Sequence, residues 1–248
     1  MGLLSDLKII CKMATHTDRG DDHAARMDNF YCDQAQGYDD FRKRLLKGRE
    51  SLWQQVLDQK TPDGIHWIDM GGGTGANLDF FGDTIGRLGK VYVVDLASSL
   101  LKVAKQRAEA NHWNNVEVVE ADATTYVPPE QQVDVVTFSY SLTMIPDWFA
   151  AIDHAYSLLK PGGLIGVADF YVSRKHPNEG FQRHNWSKRA FWPMWFAYDN
   201  VFPSPDHLPY LCRKFEKVAL DECLTRLPYF VLNPFARMPY YVFIGRKP

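Results

Sequence analysis

The chain has 248 residues, of which 46% are hydrophobic and 23% charged, and its formal net charge is -2. This composition is typical of a globular protein with one sizeable core, so we expect a single α/β domain. The charge indicates no nucleic-acid partner, and the four cysteines lack metal-ligand spacing. No apolar run reaches the roughly 20 residues that cross a bilayer, so we expect a cytoplasmic protein.

The N-terminal segment, residues 1–28, is predicted to lie outside the main domain, which we place at residues 29–248. Leu3, Leu4 and Leu7 are spaced as in an amphipathic helix over residues 3–14, and a polar linker follows. Such a helix either packs on the domain or lies on a membrane surface. We keep peripheral membrane contact through residues 3–14 as a hypothesis.

Helical and strand patterns alternate along the next part of the chain. A helical pattern over residues 39–59 precedes the predicted strands, which we place at residues 65–70, 90–96, 116–122, 133–140 and 164–171. Helical patterns separate these strands, which predicts a doubly wound, mostly parallel α/β sheet. Two further segments, residues 215–230 and 239–247, are predicted to close it as a seven-stranded sheet.

Residues 172–210 interrupt this alternation with many aromatic side chains, among them Trp186, Phe191 and Phe202. We predict an aromatic-rich helical insertion after the fifth strand. It is expected to cover the carboxyl edge of the sheet, where ligands of open α/β sheets bind.

A glycine-rich loop, "GGGTG", follows the first strand, and Gly71, Gly73 and Gly75 allow a ligand to approach the backbone closely. The dinucleotide-binding motif is G-x-G-x-x-G, or G-x-G-x-x-A when alanine replaces the third glycine. With Ala76 at that position the loop matches the second form, so the glycines alone do not exclude a dinucleotide ligand. The acid before the loop, Asp69, argues against one, because a carboxylate repels a pyrophosphate. A ligand with an ammonium and a sulfonium group would suit Asp69 better.

Two more acids end the second and third strands. Asp95 stands where an acid can hold ribose hydroxyls, and Asp122 stands where a carboxylate can accept from an adenine amino group. Taken singly, either acid is equally well explained as a helix cap or a loop residue. All three acids in register at one edge of a sheet favour a nucleoside-binding site.

The motifs "IDMGGGTG", "VVDL", "EADA" and "LKPGG", within residues 65–170, resemble the class I S-adenosylmethionine-dependent methyltransferases, which have a Rossmann-like fold. The resemblance implies that Asp69 and the glycine loop meet the amino-acid part of S-adenosylmethionine. It also implies that Asp95 binds the ribose and Asp122 the adenine, with no metal. We expect further cofactor contacts from Leu96, Ala123 and Ser139, and the resemblance alone implies one from Tyr38.

Longer motifs resemble one subfamily, the BtaB-type methyltransferases of betaine-lipid synthesis. They are "YDDFRKRLLKGRE" (38–50), "TFSYSLTMIPDW" (137–148), "DFYVS" (169–173), "FWPMWFAYDNV" (191–201), "DHLPYL" (206–211) and "PYYVFIGRK" (239–247). This resemblance implies three successive methylations of the amine of diacylglyceryl-homoserine. A separate aminocarboxypropyl transferase makes that lipid, and we expect it as a partner.

Three residues are candidates for catalysis. Tyr140 is expected, together with Ser141, beside the transferring methyl group after the fourth strand, where Tyr140 would orient the amine through its hydroxyl or ring face. Asp169, at the end of the fifth strand, is expected to attract the amine. His207 is the best placed histidine to accept its proton. The alternative explanations are a packed aromatic residue for Tyr140 and a hydrogen-bonded loop residue for His207.

The aromatic insertion suits an acceptor that becomes a quaternary ammonium, because aromatic faces attract cations. The expected contacts are Tyr171, Trp192, Trp195 and Tyr198, while Arg42 would meet a carboxylate. The alternative is that the insertion packs a small core of its own.

Three other functions stay open. The first is N- or O-methylation of a water-soluble small molecule. The second is a non-catalytic, cofactor-binding partner of the homoserine-lipid synthase. The third, a dehydrogenase, is disfavoured by Asp69.

Overall fold

The computed structural model describes residues 45–197, 200–226 and 237–248. Within these residues, seven strands form one sheet in the order β3-β2-β1-β4-β5-β7-β6. The strands are β1 His66–Met70, β2 Lys90–Asp95, β3 Val116–Glu120, β4 Val133–Ser139, β5 Leu159–Phe170, β6 Glu216–Arg226 and β7 Arg237–Arg246. The helices are α1 Arg49–Gln59, α2 Ser98–Ala110, α3 Trp148–Leu158, α4 Trp186–Phe196 and α5 His207–Lys214.

The first five strands pair in parallel, whereas β7 lies antiparallel between β5 and β6. The predicted seven-stranded, mostly parallel α/β sheet is therefore confirmed, including the closing pair. The strand order reverses at β1, which lies between β2 and β4. In open α/β sheets this switch point is where a crevice forms at the carboxyl ends of the strands.

The central strands are buried on both faces, as expected for parallel strands covered by helices. Ile68 of β1 is in register with Tyr92 of β2 and Val136 of β4, and all three side chains are buried. Their face of the sheet packs against α3, through side chains such as Ile152. The opposite face, which includes Trp67, packs against α1 and α2. These two apolar layers hold the ends of β1, β2 and β4 in fixed positions.

Two element boundaries differ from the sequence prediction. The segment after the glycine loop, Ala76–Arg87, is a 3-10 helix interrupted at Gly82, where the backbone has φ 52° and ψ -138°. Strand β5 begins at Leu159, earlier than the predicted start at residue 164. The register between β4 and β5 shifts there, because Val133 faces Leu159 while Val135 faces Leu164. The extra residues are accommodated as a bulge.

The aromatic insertion is helical, as predicted, and it lies beside the carboxyl end of β5. Helix α4 begins after Asn185, whose side chain accepts a hydrogen bond from the Lys188 amide at 3.0 Å. Phe196 on its inner face packs against Phe170 at the end of β5, with ring centroids 5.2 Å apart. Further along, the Phe202 amide donates to the Thr143 carbonyl at 2.8 Å.

No helix among the described residues is long and apolar enough to cross a membrane. The predicted helix over residues 3–14 and the linker up to residue 28 lie outside the described residues.

Candidate functional site

A cavity of about 280 Å³ opens at the carboxyl ends of β1, β2, β3 and β4. The predicted site residues that line it are Gly71, Gly73, Asp95, Leu96, Asp122, Ala123 and Tyr140. They come from four segments of the chain, and the parallel sheet brings these segments together at one edge. The cavity is therefore the candidate functional site.

The glycine loop and Asp95 form one hydrogen-bonded unit on the cavity wall. Gly71 and Gly73 have φ angles of 70° and 57°, and the Gly71 amide donates to the Val94 carbonyl at 2.7 Å. Asp95 Oδ2 accepts from the Gly73 amide at 2.9 Å, and its Oδ1 accepts from the Ala97 amide at 2.9 Å. These bonds hold the carboxylate at the cavity, where it can still accept hydroxyl groups. Gly75, with φ 68°, does not line the cavity and precedes the 3-10 helix.

Asp122 and a group of apolar side chains form another part of the cavity wall. Asp122 Oδ1 accepts from both the amide and the hydroxyl of Thr124, each at 2.7 Å. The apolar lining here consists of Leu96, Leu100, Ala121, Ala123, Ile145 and Pro146. A flat aromatic base fits between such walls, with an acceptor at its edge for the amino group. The cavity thus offers what the adenosine part of S-adenosylmethionine requires.

Asp69 is placed differently from the prediction, because it lies beneath the loop and does not line the cavity. Its side chain is buried, Oδ2 accepts from Asn77 at 2.9 Å, and Oδ1 accepts from the Thr137 hydroxyl at 2.9 Å. Asn77 in turn accepts from Arg49 at 3.2 Å. Asp69 therefore joins β1, β4 and α1 under the glycine loop. Its place in the fold supports the loop rather than a direct contact with the ligand.

Tyr140 lines the cavity in an unusual backbone conformation, with φ 56°. Its amide donates to the Ala168 carbonyl at 2.8 Å, and its hydroxyl donates to the Lys47 carbonyl at 2.6 Å. Burial raises the pKa of this phenol well above its usual range, so the hydroxyl keeps its proton. Tyr140 accordingly contributes its ring and backbone to the site. Its hydroxyl is hydrogen-bonded to the Lys47 carbonyl and not, as predicted, to an amine.

Ser139 and Asp169 lie behind the cavity wall and do not line it. The Ser139 hydroxyl is buried in the sheet. The Asp169 carboxylate is also fully buried, where Oδ1 accepts from the Thr143 hydroxyl at 2.8 Å and Oδ2 accepts from the Thr143 amide at 3.1 Å. The structure thus places Asp169 under the turn that follows β4, next to Met144 of the cavity lining. We assign it to positioning that turn, instead of the predicted direct attraction of an amine.

The burial of Asp169 predicts a pH-dependent stability. Burial raises the pKa of its carboxyl group to about 7, so the folded protein retains a proton that the unfolded chain loses near pH 4. Stability contributed by this group is complete below that pH and decreases as the pH rises towards 7. Relative to Asp169→Asn, the wild type should lose about 2 to 3 kcal/mol of unfolding free energy between pH 5 and pH 8. Urea unfolding at several pH values measures this change.

The matched control is Asp153→Asn. The pKa of the Asp153 carboxyl is lowered by its hydrogen bonds to Lys214 and Tyr210, although burial opposes the shift. The difference in unfolding free energy between the wild type and Asp153→Asn should therefore stay constant from pH 5 to pH 8. A difference between wild type and Asp169→Asn that stays constant from pH 5 to pH 8 would contradict the assignment.

His207 lies in the core behind the turn. Its ring packs edge-on against Trp148 at 4.8 Å, and burial lowers its pKa to about 3. It is therefore neutral near pH 7, but it does not line the cavity, so the structure does not bring it to the site where it was predicted to accept a proton.

Of the predicted acceptor contacts, Tyr171 and Trp192 are hydrogen-bonded to the two closing strands of the sheet, β6 and β7. Tyr171 donates to Glu222 at 2.6 Å, and Trp192 donates to the Arg237 carbonyl at 3.2 Å. Trp195 stacks on Phe191 and is partly exposed. None of the three lines the cavity, and Trp192 belongs to the same core cluster as Trp67 of β1, so the insertion shares the core of the sheet instead of building a separate one. Tyr38, Arg42 and Tyr198 lie outside the described residues.

The turn after β4 supplies further lining residues. Ser141 was expected beside the transferring methyl group, whereas Met144, Ile145, Pro146 and Asp147 were not predicted as site residues. Asp147 caps helix α3 by accepting from the Ala150 amide at 3.2 Å. The signal that could have identified them is their position directly after a strand that ends at the site. Among the described residues, no group of three or more His, Cys, Asp or Glu side chains could hold a metal.

Solved structures resemble this fold. An N-methyltransferase from Bradyrhizobium japonicum, NodS in complex with S-adenosyl-L-homocysteine, matches with a TM-score of 0.60, 14% identity and 98% coverage of both chains. The [4+2]-cyclase SpnF matches with a TM-score of 0.59 and 18% identity, over 80% of this chain and 81% of the other. Identities this low show the fold alone.

Comparisons of sequence are more specific. The chain is 28% identical over 152 residues to the ubiquinone/menaquinone biosynthesis C-methyltransferase UbiE of Pseudoalteromonas translucida, covering 60% of this chain and 61% of the relative. It is 27% identical over 172 residues to the 2-phytyl-1,4-naphtoquinone methyltransferase of Thermosynechococcus vestitus, covering 68% and 71%. The chain thus spans less than two thirds of the first relative.

A family model, that of the ubiE/COQ5 methyltransferases, matches residues 21–193. The match contains the whole glycine loop, Asp95, Asp122 and Tyr140. The prediction of a class I S-adenosylmethionine-dependent methyltransferase is thereby confirmed at the level of the family. Because the match covers more than half of the 248 residues, the chain belongs to the ubiE/COQ5 methyltransferase family.

Proposed function

We propose that this protein transfers methyl groups from S-adenosylmethionine to the amine of a lipid headgroup, diacylglyceryl-homoserine, giving its N,N,N-trimethyl form. The resemblance to the betaine-lipid methyltransferases supports this acceptor. It extends through "DHLPYL" and "PYYVFIGRK" to residue 247, beyond the family match that ends at residue 193. In the structure these motifs form the start of α5 and most of β7.

The observation that carries the proposal is the charge of the cavity. Its lining includes three carboxylates, those of Asp95, Asp122 and Asp147, and no Lys, Arg or His among the residues that the structure describes. Such a site attracts cations and disfavours anions, because charges interact strongly where water is partly excluded. A sulfonium donor and an ammonium acceptor are both cations. A phenolate acceptor would be repelled by the same carboxylates.

The chemistry required of the protein is modest. S-adenosylmethionine, when bound, supplies a methyl group on a positively charged sulfur, and the chain must hold the acceptor in line with it. The amine attacks only when it is unprotonated, so a proton must leave it. Asp147 is the carboxylate of the described lining that is not assigned to the adenosine part of the cofactor, so it is the candidate proton acceptor, since the Tyr140 phenol keeps its proton. Apolar walls favour the neutral amine by partial desolvation.

The names of the relatives favour a second function. The two curated relatives are a ubiquinone/menaquinone biosynthesis C-methyltransferase and a 2-phytyl-1,4-naphtoquinone methyltransferase, and they match 60% and 68% of this chain. A ring carbon would then receive a single methyl group. The acceptor in this case is also a molecule with a long hydrocarbon chain, but it carries no amine.

Mass spectrometry distinguishes the two functions. The protein is incubated with S-adenosylmethionine labelled in its methyl group and with either diacylglyceryl-homoserine or demethylmenaquinol in mixed micelles. Gains of one, two and three labelled methyl groups on the headgroup nitrogen support the proposal. A single labelled methyl on the quinol ring, with an unchanged headgroup, overturns it. The same assay with soluble homoserine tests whether the protein methylates a small molecule instead.

A further inference from the structure

We propose that the residues where α1 begins, Lys47, Gly48 and Arg49, form an anchor segment that holds two walls of the cofactor cavity in fixed positions. The first wall is the glycine loop after β1, and the second is the turn that begins at Tyr140. None of the three anchor residues lines the cavity, so they act through other residues and are positioning residues for cofactor binding. The inference concerns the cofactor cavity alone, so it does not depend on which acceptor is methylated.

Arg49 links the anchor segment to the glycine loop. Its side chain is buried, its guanidinium donates to the Asn77 amide oxygen at 3.2 Å, and Asn77 donates to Asp69 Oδ2 at 2.9 Å. This carboxylate oxygen lies directly under the loop, since it would be 3.1 Å from a Cβ atom added to Gly72. Because a buried polar group that loses its hydrogen bond is costly, each member of this chain of contacts holds the next in place. The position of the loop backbone therefore depends on Arg49.

Lys47 links the same segment to the second wall. Its carbonyl accepts from the Tyr140 hydroxyl at 2.6 Å, and the Tyr140 amide donates to the Ala168 carbonyl of β5 at 2.8 Å. The φ angle of Tyr140, 56°, is unfavourable for a residue with a side chain and persists only where the surroundings impose it. The two hydrogen bonds supply that restraint, one at the amide and the other at the hydroxyl. The start of the second wall therefore depends on the Lys47 carbonyl.

Gly48 lies directly against strand β7. It has φ 84°, and an added Cβ atom would be 2.7 Å from the Tyr240 ring and 2.8 Å from the Val242 side chain. Val242 is buried and is the register partner of Ala168, whose carbonyl accepts from the Tyr140 amide. The contacts therefore form a closed ring through the anchor segment, Tyr140, β5 and β7. Only glycine permits this approach, which fixes the segment against the sheet.

A double-mutant cycle on cofactor affinity tests whether the two links act as one unit. Arg49→Met removes the first link, and Tyr140→Phe removes the second while keeping the ring. In isothermal titration calorimetry each variant should bind S-adenosylmethionine roughly tenfold more weakly, and so should the double variant, because the second change acts on an anchor that is already lost. Arg49→Lys keeps a cation that can donate to Asn77 and should recover most of the affinity. A roughly hundredfold loss in the double variant, or wild-type affinity in both single variants, would overturn the inference.

A second test addresses the route, because the two walls also meet directly where the Ser141 hydroxyl donates to the Met70 carbonyl at 2.8 Å. Gly48→Ala should displace the anchor segment and weaken cofactor binding roughly tenfold. Adding Tyr140→Phe to Gly48→Ala should then cause no further loss. If Tyr140 acted through Ser141 instead, Tyr140→Phe would keep its full effect in this background and the inference would fail. This comparison does not use Arg49→Met, so it decides the question even where that variant does not fold.

Two controls separate positioning from a general loss of stability. Gly180 has a similar φ of 87°, but a Cβ atom there would meet no atom within 4 Å, so Gly180→Ala should leave cofactor affinity unchanged. Lys160→Met removes a cation from the Asp134 carboxylate, which accepts from the His66 amide at the other end of β1. It should lower the melting temperature, as Arg49→Met does, but bind the cofactor like the wild type. An equal loss of affinity in Lys160→Met would show that affinity only follows stability, and would overturn the inference.

Discussion

Replacing Gly71 by alanine should reduce the affinity for S-adenosylmethionine by roughly 100-fold or more. Gly71 lines the cavity with φ 70°, a conformation that residues with a Cβ atom rarely adopt. An added Cβ would lie 2.4 Å from Cβ of Ser141 and 3.0 Å from its hydroxyl oxygen. Ser141 cannot easily move, because its hydroxyl donates to the Met70 carbonyl at 2.8 Å. The loop itself must therefore shift and distort the cavity.

A control separates the clash from the backbone strain. Gly162 has φ 73°, but a Cβ there would meet no atom within 4 Å. Gly162→Ala should cost about 1 kcal/mol of unfolding free energy and leave cofactor affinity unchanged. Gly71→Ala should cost about 2 to 4 kcal/mol in addition to its loss of affinity. Calorimetry and thermal unfolding measure both quantities, and wild-type binding by Gly71→Ala would show that the loop does not contact the cofactor.

The sheet and half of the site could be predicted because they depend on local patterns. Buried strands in a parallel sheet are continuous apolar runs, and the segments between them have helical periodicity. Parallel strands align their carboxyl ends, so residues that end such strands meet at one edge. Asp95 and Asp122 follow this rule and line the cavity.

Asp69 shows where a local pattern is insufficient. It precedes the last residue of β1, and neighbouring residues of a strand point to opposite faces of the sheet. Its hydrogen-bond partners, Asn77 and Thr137, are 8 and 68 residues away along the chain. Such partners decide whether the carboxylate of an acid faces a ligand or accepts its hydrogen bonds from other side chains of the protein. A motif gives the position of the acid in the chain but not its partners.

The same dependence on partners that are distant in the chain explains why the roles of residues around the insertion could not be predicted. Tyr171 is bonded to Glu222, which is 51 residues away, and Trp192 is bonded to Arg237, which is 45 residues away. An aromatic side chain that packs an insertion and one that faces a cation have the same appearance in a sequence. Asp169 likewise lies near the carboxyl end of a strand, at the edge of the sheet where the cavity opens. Its carboxylate nevertheless accepts a hydrogen bond from Thr143 of the neighbouring turn and does not face the cavity.

Replacing Asp95 by alanine should be as damaging to cofactor binding as the change at Gly71, for a different reason. The carboxylate accepts from the Gly73 and Ala97 amides, and each partly buried donor left unpaired costs about 1 to 3 kcal/mol. The ligand also loses its acceptor at the cavity wall. We expect roughly 100-fold weaker binding of S-adenosylmethionine, and a smaller loss for Asp95→Asn, whose amide keeps one acceptor oxygen.

The control for Asp95 is Asp63→Ala, because Asp63 also accepts two hydrogen bonds, from Arg87 at 2.8 Å and 2.7 Å, but lies on the exposed surface. Surface ion pairs contribute little, so Asp63→Ala should bind the cofactor normally. Isothermal titration with S-adenosylmethionine and with S-adenosylhomocysteine makes the comparison. A ribose contact requires that both ligands lose affinity equally, since they share the ribose and differ at the sulfur. A loss confined to S-adenosylmethionine would instead mean that Asp95 acts through its charge on the sulfonium, and would move the role of the carboxylate from the ribose to the methyl group.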